Sequence, residues 1–205
     1  MIRDYFIKQG NEKQIQQEYS ILKQLNQVEM QAGNQTARLF PMVYEYEVQH
    51  GIGILKMEKI DGVTLNQIGT MPKSQWILWM KEVAKGLMIL HMLRPPIIWC
   101  DCKPDNLLVD KEGRIHLIDF DCAFLLKKVP PRASYGTLKY SAPEQREGGV
   151  LDERTDIYGF GATFLHMPIK WNWFSIHKIL QKCVAKKKEE RFQTAGELLY
   201  ALKKL

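Results

Sequence analysis

Three polar side chains in one stretch of the sequence have the types and spacing of a cation site with a base beside it. The stretch covers residues 97–124, IIWCDCKPDNLLVDKEGRIHLIDFDCAF. Asp101 and Asn106 lie in a polar loop before a short apolar strand, and Asp119 follows a second strand after a turn at Gly113. This hairpin would bring the three side chains to one end. Carboxylate and amide oxygens suit a hard cation such as Mg²⁺ and leave a spare carboxylate as a base.

The first residues supply a second pair of charged groups. Residues 2–8 are predicted to form a strand that ends on Lys8. Residues 12–27 have apolar residues at the spacing of a helix. Glu18 lies beside the apolar face of that helix. A strand lysine paired with a helix glutamate is the simplest use of both residues, and two unrelated surface charges are the alternative.

The rest of the periodicity predicts a small β-rich part followed by a larger helical part, with the boundary at residues 58–62. We therefore expect an α+β fold with domains at 1–60 and 61–205. His91, on the apolar face of a long helix, is expected to be packed or capping rather than functional. The predicted elements are a turn at Gly10 and Asn11, strands at 40–48 and 52–57, and helices at 65–68, 72–93, 153–167, 171–185 and 194–205.

Composition and charge exclude several classes of function. With 205 residues, 45% of them hydrophobic, the chain can bury the core of one or two domains. It has no long apolar run and no signal-peptide pattern, so we expect a soluble cytoplasmic protein without a membrane segment. The four cysteines show no disulfide or zinc framework and are expected to be reduced and packed. The net charge of +6 forms small clusters without interleaved aromatics, which argues against nucleic-acid binding.

In their order along the chain, these polar groups resemble the signature of the eukaryotic-type (Hanks-type) serine/threonine protein kinases, which also occur in bacteria. The catalytic-loop pattern H-R-D-x-K-x-x-N appears as WCDCKPDN at 99–106, D-F-G as DFD at 119–121, and A-P-E unchanged at 142–144. DIYG at 156–159 resembles the start of the central helix, and Arg191 resembles the late arginine that pairs with the A-P-E glutamate. The resemblance covers nearly the whole chain. It implies a two-lobed fold with an abbreviated β-rich N-terminal lobe and a mainly helical C-terminal lobe.

The resemblance also implies a role for each matching side chain. Asp101 would orient a substrate hydroxyl and accept its proton, and Lys103 would neutralise charge on the transferring phosphoryl group. Asn106 and Asp119 would hold Mg²⁺, with Mn²⁺ as an alternative, across the phosphates of ATP. Phosphoryl transfer depends on positioning and electrostatic stabilisation, for which these residue types are suited. The residues expected around the nucleotide are Lys8, Glu18, Met57, Glu58, Ile60 and Leu108.

The sequence departs from the family pattern at its front. No glycine-rich segment lies among the seven residues before Lys8, so the usual phosphate lid and the first two strands are not in this sequence. A naturally truncated chain would bind nucleotide more weakly, because lid closure excludes water and positions the γ-phosphate. The alternative is that the true start lies upstream.

The usual His-Arg of the catalytic loop is also replaced. Trp99 is expected to fill the apolar spine beside Phe120 and Leu22. Cys100 cannot bind a phosphate as the arginine would, so we expect that activity does not require phosphorylation of the loop before the A-P-E. The candidate positions in that loop are Ser134, Tyr135 and Thr137.

Three further departures affect the nucleotide site and the substrate-docking part. Asp121 replaces a glycine, and it is interpreted either as an exposed turn residue or as a second metal ligand. Phe6 stands where a small residue usually contacts adenine and is expected to narrow the pocket. The segment from Asp156 to Arg191 is shorter than in the family, so we expect trimmed substrate-docking helices.

Three functions remain open. A serine/threonine protein kinase that acts on protein substrates is favoured by Lys103, by Thr137 and by the intact A-P-E. A pseudokinase scaffold is favoured by the missing lid and by Phe6, although none of the expected catalytic groups is lost. A small-molecule kinase is favoured by Asp121 but does not explain the loop before the A-P-E. The protein substrate, the regulator and the oligomeric state are not predicted by the sequence.

Overall fold

The fold combines a small antiparallel sheet with a mainly helical body, as the expected α+β class requires. The computed structural model describes residues 5–31, 33, 38–126, 137–170 and 172–205. The strands are β1 (Tyr5–Asn11), β2 (Val43–Gln49), β3 (Ile52–Glu58), β4 (Gly62–Thr64), β5 (Ile97–Ile98), β6 (Leu107–Asp110), β7 (Ile115–Leu117) and β8 (Phe124–Leu125). The helices are α1 (Glu12–Gln31), α2 (Lys73–Met92), α3 (Pro143–Arg146), α4 (Glu153–Leu165), α5 (Phe174–Cys183) and α6 (Ala195–Lys203), with 3₁₀ turns at Leu65–Gln67, Pro104–Asn106 and Lys188–Glu190.

The first sheet has the strand order β1–β3–β2, and α1 packs on one of its faces. In β3 the buried residues alternate as Gly53, Leu55 and Met57, because successive side chains of a strand point to opposite faces. A Cβ atom on Gly53 would lie 2.8 Å from the Cβ of Ile15, so a side chain at this position would push α1 away from the sheet. This close packing holds α1 beside β1 and brings its residue Glu18 close to the site described below.

The predicted turn at Gly10 and Asn11 is wrong. Both residues pair with β3, so β1 continues directly to the start of α1. The Oδ1 atom of Asn11 accepts the N–H groups of Lys13 at 3.1 Å and Gln14 at 3.4 Å, and thereby caps the helix. Glycine and asparagine are common both in turns and at helix starts, which explains the error.

The helix α2 forms the centre of the helical body and contacts α4, α6, β5 and β7. The predicted helices are confirmed, although their ends move by a few residues. The one expected at 171–185 is α5, and Trp171 lies outside the described residues. The five apolar residues that predicted the buried face of α2 are all fully buried: Trp76, Met80, Val83, Leu87 and Leu90.

The predicted hairpin is confirmed as β6 and β7, which pair in antiparallel register. Gly113 in the turn between them has a φ of 78°, a conformation that glycine adopts without strain. The helix α2 packs closely against β7 at Gly86, where a Cβ atom would lie 2.8 Å from Cδ2 of Leu117. The hairpin is therefore fixed on the helical core, and its open end carries Asn106 and Asp119.

The four cysteines are unpaired. Cys100, Cys102 and Cys183 are buried, and burial raises the pKa of the half-buried Cys122 to about 11. The expectation of packed thiols is confirmed for these three buried residues, whereas Cys122 is only half-buried. Among the described residues, no helix is long and apolar enough to cross a membrane. The division into domains at 1–60 and 61–205 stays a prediction.

Candidate active site

Asp101, Lys103 and Asn106 form one hydrogen-bonded group in the loop before β6. Lys103 Nζ donates to Asp101 Oδ2 at 2.7 Å, and Asn106 Nδ2 donates to the same oxygen at 2.9 Å. Asn106 Nδ2 also donates to the backbone oxygen of Asp101 at 3.0 Å. Within the described residues, Asp101 Oδ1 and Asn106 Oδ1 accept no side-chain or backbone hydrogen bond. The loop therefore presents one carboxylate oxygen and one amide oxygen that can act on a bound group.

The backbone of this loop is held by Asp156, a fully buried residue in the first turn of α4. Asp156 Oδ2 accepts the N–H of Trp99 at 2.9 Å, and Oδ1 accepts the N–H of Cys100 at 2.7 Å. Cys100 has a φ of 65°, which is unfavourable for a non-glycine residue and needs such support. His91 Nε2 lies 2.9 Å from Asp156 Oδ2, so His91 is a packed residue, as expected, that orients this carboxylate.

Trp99 occupies the expected apolar position. Its ring is fully buried and stacks on Phe120 with a centroid distance of 5.6 Å, and Phe120 also contacts Phe40 edge to face at 5.9 Å. Trp99 Nε1 donates to the backbone oxygen of Asp119 at 2.8 Å. Asp119 has a φ of 63°, so this bond and the stacking support a second backbone position that is unfavourable without glycine. Leu22 belongs to the same buried core.

Lys8 and Glu18 are paired, which confirms the first of the two alternatives that the sequence left open. Lys8 Nζ lies 2.8 Å from Glu18 Oε2, from Asp119 Oδ1 and from Asp121 Oδ1. Glu18 Oε1 accepts the N–H of Phe120 at 3.0 Å. The helix α1 is thereby bonded to the segment that follows β7, and the sheet is bonded to the helical body through one lysine.

The environment of this cluster keeps Lys8 charged. Burial opposes the charge on Lys8, but the carboxylates of Glu18, Asp119 and Asp121 outweigh it and hold the pKa of Lys8 above its usual range. Burial raises the pKa of Glu18 above its usual range, against the attraction of Lys8 and the N–H of Phe120. An ammonium group that stays protonated can bind an anion in this cleft.

A cavity of about 380 Å³ lies between the sheet and the hairpin. Its wall includes every residue that was expected to bind nucleotide or metal, together with Phe6. Asp101 and Lys103 are not part of this wall. They are hydrogen-bonded to each other, and Asp101 is also bonded to Asn106, which does line the cavity. The structure therefore brings the predicted groups to one cleft. The lining is Phe6, Lys8, Glu18, Pro41, Met57, Glu58, Lys59, Ile60, Asp105, Asn106, Leu108, Ile118 and Asp119.

Glu144 and Arg191 form a buried bidentate ion pair, as the family resemblance implied. The two N···O distances are 2.7 and 2.9 Å, and the Arg191 side chain is fully buried. Arg191 also lies over the ring of Tyr158 in α4. This pair ties α3 to the segment before α6. Ser134 and Tyr135 lie outside the described residues, so the expectation about loop phosphorylation stays a prediction.

The donor set of the cleft fits a divalent cation that prefers oxygen ligands. Asp119 supplies a carboxylate and Asn106 an amide oxygen, both in the cavity wall. Oxygen atoms of Glu18, Asp119 and Asp121 also lie within 4.8 Å of one another. Among the described residues, this is the one group of three or more acidic, histidine or cysteine side chains with such a spacing. The residues present therefore suit Mg²⁺ or Mn²⁺ and offer no soft ligand.

Comparison with known families agrees with this geometry. The model of the protein kinase domain matches residues 1–203, almost the entire chain. The chain belongs to the protein kinase domain family. The two-lobed kinase-like architecture and the resemblance to Hanks-type serine/threonine kinases, including bacterial ones, are thereby confirmed.

The individual relatives have low sequence identity to this chain and are much longer than it. The chain is 25% identical over 193 residues to a probable serine/threonine-protein kinase of Clostridium acetobutylicum. The matched region covers 77% of this kinase chain and 29% of the relative. It is 33% identical over 132 residues to a probable serine/threonine-protein kinase of Clostridium perfringens, covering 61% and 19%. It is 26% identical over 157 residues to mitogen-activated protein kinase kinase 1 of Arabidopsis thaliana, covering 69% and 44%. This kinase chain therefore spans less than half the length of these relatives.

The main feature that the sequence did not resolve is the place of Asp121. It was interpreted as an exposed turn residue or a second metal ligand; the structure places it in an exposed turn beside Glu18 and Asp119 and also pairs it with Lys8. The side chain is 46% exposed, so a loop position was a reasonable expectation. The signal that could have identified the pair is the negative charge two positions after Asp119, opposite the half-buried Lys8. Pro41, Lys59 and Ile118 were also missed, because they line the cavity without a distinctive residue type.

Proposed function

We propose that this kinase transfers the γ-phosphoryl group of ATP to serine or threonine hydroxyls of proteins, with Mg²⁺ or alternatively Mn²⁺ as the cofactor. One observation carries the proposal. The carboxylate of Asp101, bonded to Lys103 and Asn106, lies at the edge of a cavity whose wall carries a paired lysine and two oxygen donors. This arrangement supplies a base, a phosphate-binding cation and a metal site within one cleft.

The cavity wall divides by chemistry into an apolar part and a charged part. Met57 and Leu108 would contact the faces of the adenine ring, and the backbone of Glu58 and Ile60 would bind its edge. At the charged end, Lys8 would contact the inner phosphates. The metal, when bound by Asn106 and Asp119, would neutralise the phosphates during transfer. Phe6 would narrow the apolar part.

The proposed reaction moves one phosphoryl group and one proton. The substrate hydroxyl oxygen forms a bond to the γ-phosphorus, the bond between that phosphorus and the bridging oxygen of ADP breaks, and ADP leaves. Asp101 Oδ1, the free carboxylate oxygen, would orient the hydroxyl and accept its proton. Lys103, 2.7 Å from the other oxygen, would stabilise the negative charge on the transferring group. Lys103 and Thr137 support a serine or threonine acceptor.

A second candidate function is nucleotide binding without transfer. The observation that favours it is Phe6, which lines the cavity with a bulky ring and reduces the space for adenine. Every charged group needed for transfer is nevertheless present and lies close to the cleft, so transfer is the better supported function. The assay below separates the two.

We further propose that residues 1–60 form the nucleotide-binding lobe with the hinge, and that residues 61–205 form the lobe that binds the protein substrate. The antiparallel sheet with α1 supports the first part, and the helices around α2 support the second. A cytoplasmic location is supported by four unpaired cysteines, which are typical of reducing compartments.

Transfer of labelled phosphate from ATP to a generic basic protein, followed by identification of the modified amino acid, tests the function. The wild-type protein is expected to produce phosphoserine or phosphothreonine. Asp101→Asn keeps the shape of the side chain but removes the base, and is expected to lower kcat by about 10²–10⁴-fold. Asp61→Asn, which removes an exposed carboxylate that is paired with Lys111 and is not part of the cavity wall, is the control. Equal rates for wild type and Asp101→Asn would contradict the proposed chemistry.

A further inference from the structure

Carboxylate oxygens of the chain itself surround the ammonium group of Lys8 in the arrangement that the structure shows. Its ammonium group has three N–H donors. Three carboxylate oxygens, from Glu18, Asp119 and Asp121, each lie 2.8 Å from Nζ. Nζ donates a hydrogen bond to Asp119 Oδ1 and is ion-paired with the other two carboxylates, so the group that would bind the inner phosphates of ATP is engaged by the chain itself.

The charge of the cluster opposes a polyphosphate. With all three carboxyl groups ionised the formal charge is −2, the sum of −3 and +1, and with Glu18 protonated it is −1, so the cluster is negative in both states. Asp121 is the member that the transfer reaction does not use. It is also the most exposed of the three acids, with 46% of its side chain accessible against 38% for Asp119 and 1% for Glu18. Asp121 can therefore change partners most easily.

A divalent cation would change this balance. The three carboxylates have oxygens within 4.8 Å of one another, so a cation bound by Asp119 lies close to Asp121 as well. Such a cation carries twice the charge of the ammonium group and competes with it for the same oxygens. Lys8 would then keep its ion pair with the buried carboxylate of Glu18 and lose its contacts with Asp119 and Asp121.

We propose that Asp121 is a positioning residue, which holds the ammonium group of Lys8 away from the nucleotide phosphates until a divalent cation binds. Nucleotide binding thereby depends on the metal. This inference rests on the proposed function, because it assumes that nucleotide and metal share this cleft. It assigns to Asp121 a regulatory role at Lys8, separate from phosphoryl transfer itself.

Isothermal titration with ADP, in EDTA and in saturating Mg²⁺, tests the inference. Asp121→Asn removes the charge and preserves the shape, and an exposed ion pair of this kind corresponds to a change of up to about fivefold. We expect the metal-free Kd of the variant to fall by about threefold to fivefold, whereas the Kd in Mg²⁺ changes by less than about twofold. Glu45→Gln, on the outer face of the same sheet, removes one negative charge without a contact to Lys8 and is the control.

A second measurement needs no nucleotide. The rate at which an amine-acylating reagent modifies Lys8, followed by mass spectrometry, reports how firmly the carboxylates hold the ammonium group. Mg²⁺ is expected to raise this rate in the wild type. Asp121→Asn is expected to show a higher rate without metal and a smaller response to Mg²⁺.

The outcomes separate the two proposals. If the wild type binds ADP with Mg²⁺ but Asp121→Asn shifts both dissociation constants equally or neither, the role of Asp121 is refuted and the proposed function stands. An acylation rate that neither Mg²⁺ nor the substitution changes refutes it as well. If the wild type binds no ADP in Mg²⁺, the proposed function is refuted and this inference is refuted with it.

Discussion

Replacing Asp156 by alanine removes the acceptor of two buried backbone N–H groups. The bonds to Trp99 N and Cys100 N are 2.9 and 2.7 Å long, and Asp156 is 1% exposed, so water cannot take its place without a rearrangement. A buried donor left without a partner costs about 1–3 kcal/mol, and two such donors give about 2–6 kcal/mol. We expect Asp156→Ala to lose this much free energy of unfolding.

Urea unfolding followed by tryptophan fluorescence measures the loss, and phosphate transfer measures its consequence. Because Cys100 has a φ of 65°, the loop is expected to relax when its support is removed, and transfer should fall with stability. Asp152→Ala is the control, since Asp152 caps the same helix through Arg154 N at 3.0 Å but does not contact the loop. It is expected to lose stability while it retains transfer. A loss below about 1 kcal/mol for Asp156→Ala, with transfer unchanged, would refute the reasoning.

Three further substitutions have predictable effects on urea unfolding. Arg191→Met leaves the buried carboxylate of Glu144 without its partner and is expected to lower the free energy of unfolding by about 3–5 kcal/mol. Trp99→Ala removes a fully buried ring and is expected to cost about 3–5 kcal/mol, whereas Trp99→Phe keeps the stacking and loses mainly the bond to Asp119 O, about 1 kcal/mol. Glu29 is buried, and burial raises its pKa to about 7 against the N–H of Leu39. The protonated carboxyl group of Glu29 therefore favours the folded state. This stability is fully present below the unfolded pKa of about 4.3 and is lost as the pH rises through about 7. Glu29→Gln is expected to be more stable than wild type at pH 8 by about 1–3 kcal/mol, because it removes the charge that wild type must bury there.

Each of these predictions has a control. Lys111→Met removes an ion pair whose two side chains are both 72% exposed, so a loss as large as that of Arg191→Met would contradict the importance of burial. Equal losses for the two Trp99 variants would show that ring packing is not the main contribution. For Glu29→Gln, the difference from wild type must shrink as the pH is lowered towards 4.5, and a constant difference would contradict titration of Glu29.

The sequence predicted the parts of the site that depend on local spacing. Asp101, Asn106 and Asp119 lie within one hairpin, and strand alternation with a glycine turn was sufficient to bring them together. The buried face of α2 was predicted for the same reason, because apolar residues recur at the helical period. Arg191 and Glu144 are distant in sequence, and their pairing came from the family resemblance rather than from spacing.

Other features depend on tertiary contacts that spacing does not encode. Asp121 bonds to Lys8 across more than a hundred residues, and no periodic signal links the two. Gly10 and Asn11 were predicted to form a turn, whereas pairing with β3 extended the strand. The wall residues Pro41 and Ile118 belong to the cavity because of how the sheet lies on the hairpin.

Anomalous scattering from Mn²⁺ tests the central claim most directly, in crystals grown with a non-hydrolysable ATP analogue. The account predicts a peak between the carboxylate of Asp119 and Oδ1 of Asn106, with the analogue in the cavity between Met57 and Leu108 and its terminal phosphate towards Asp101. An analogue bound elsewhere, or a Mn²⁺ peak away from Asn106 and Asp119, would contradict the claim that this cleft is a phosphoryl-transfer site.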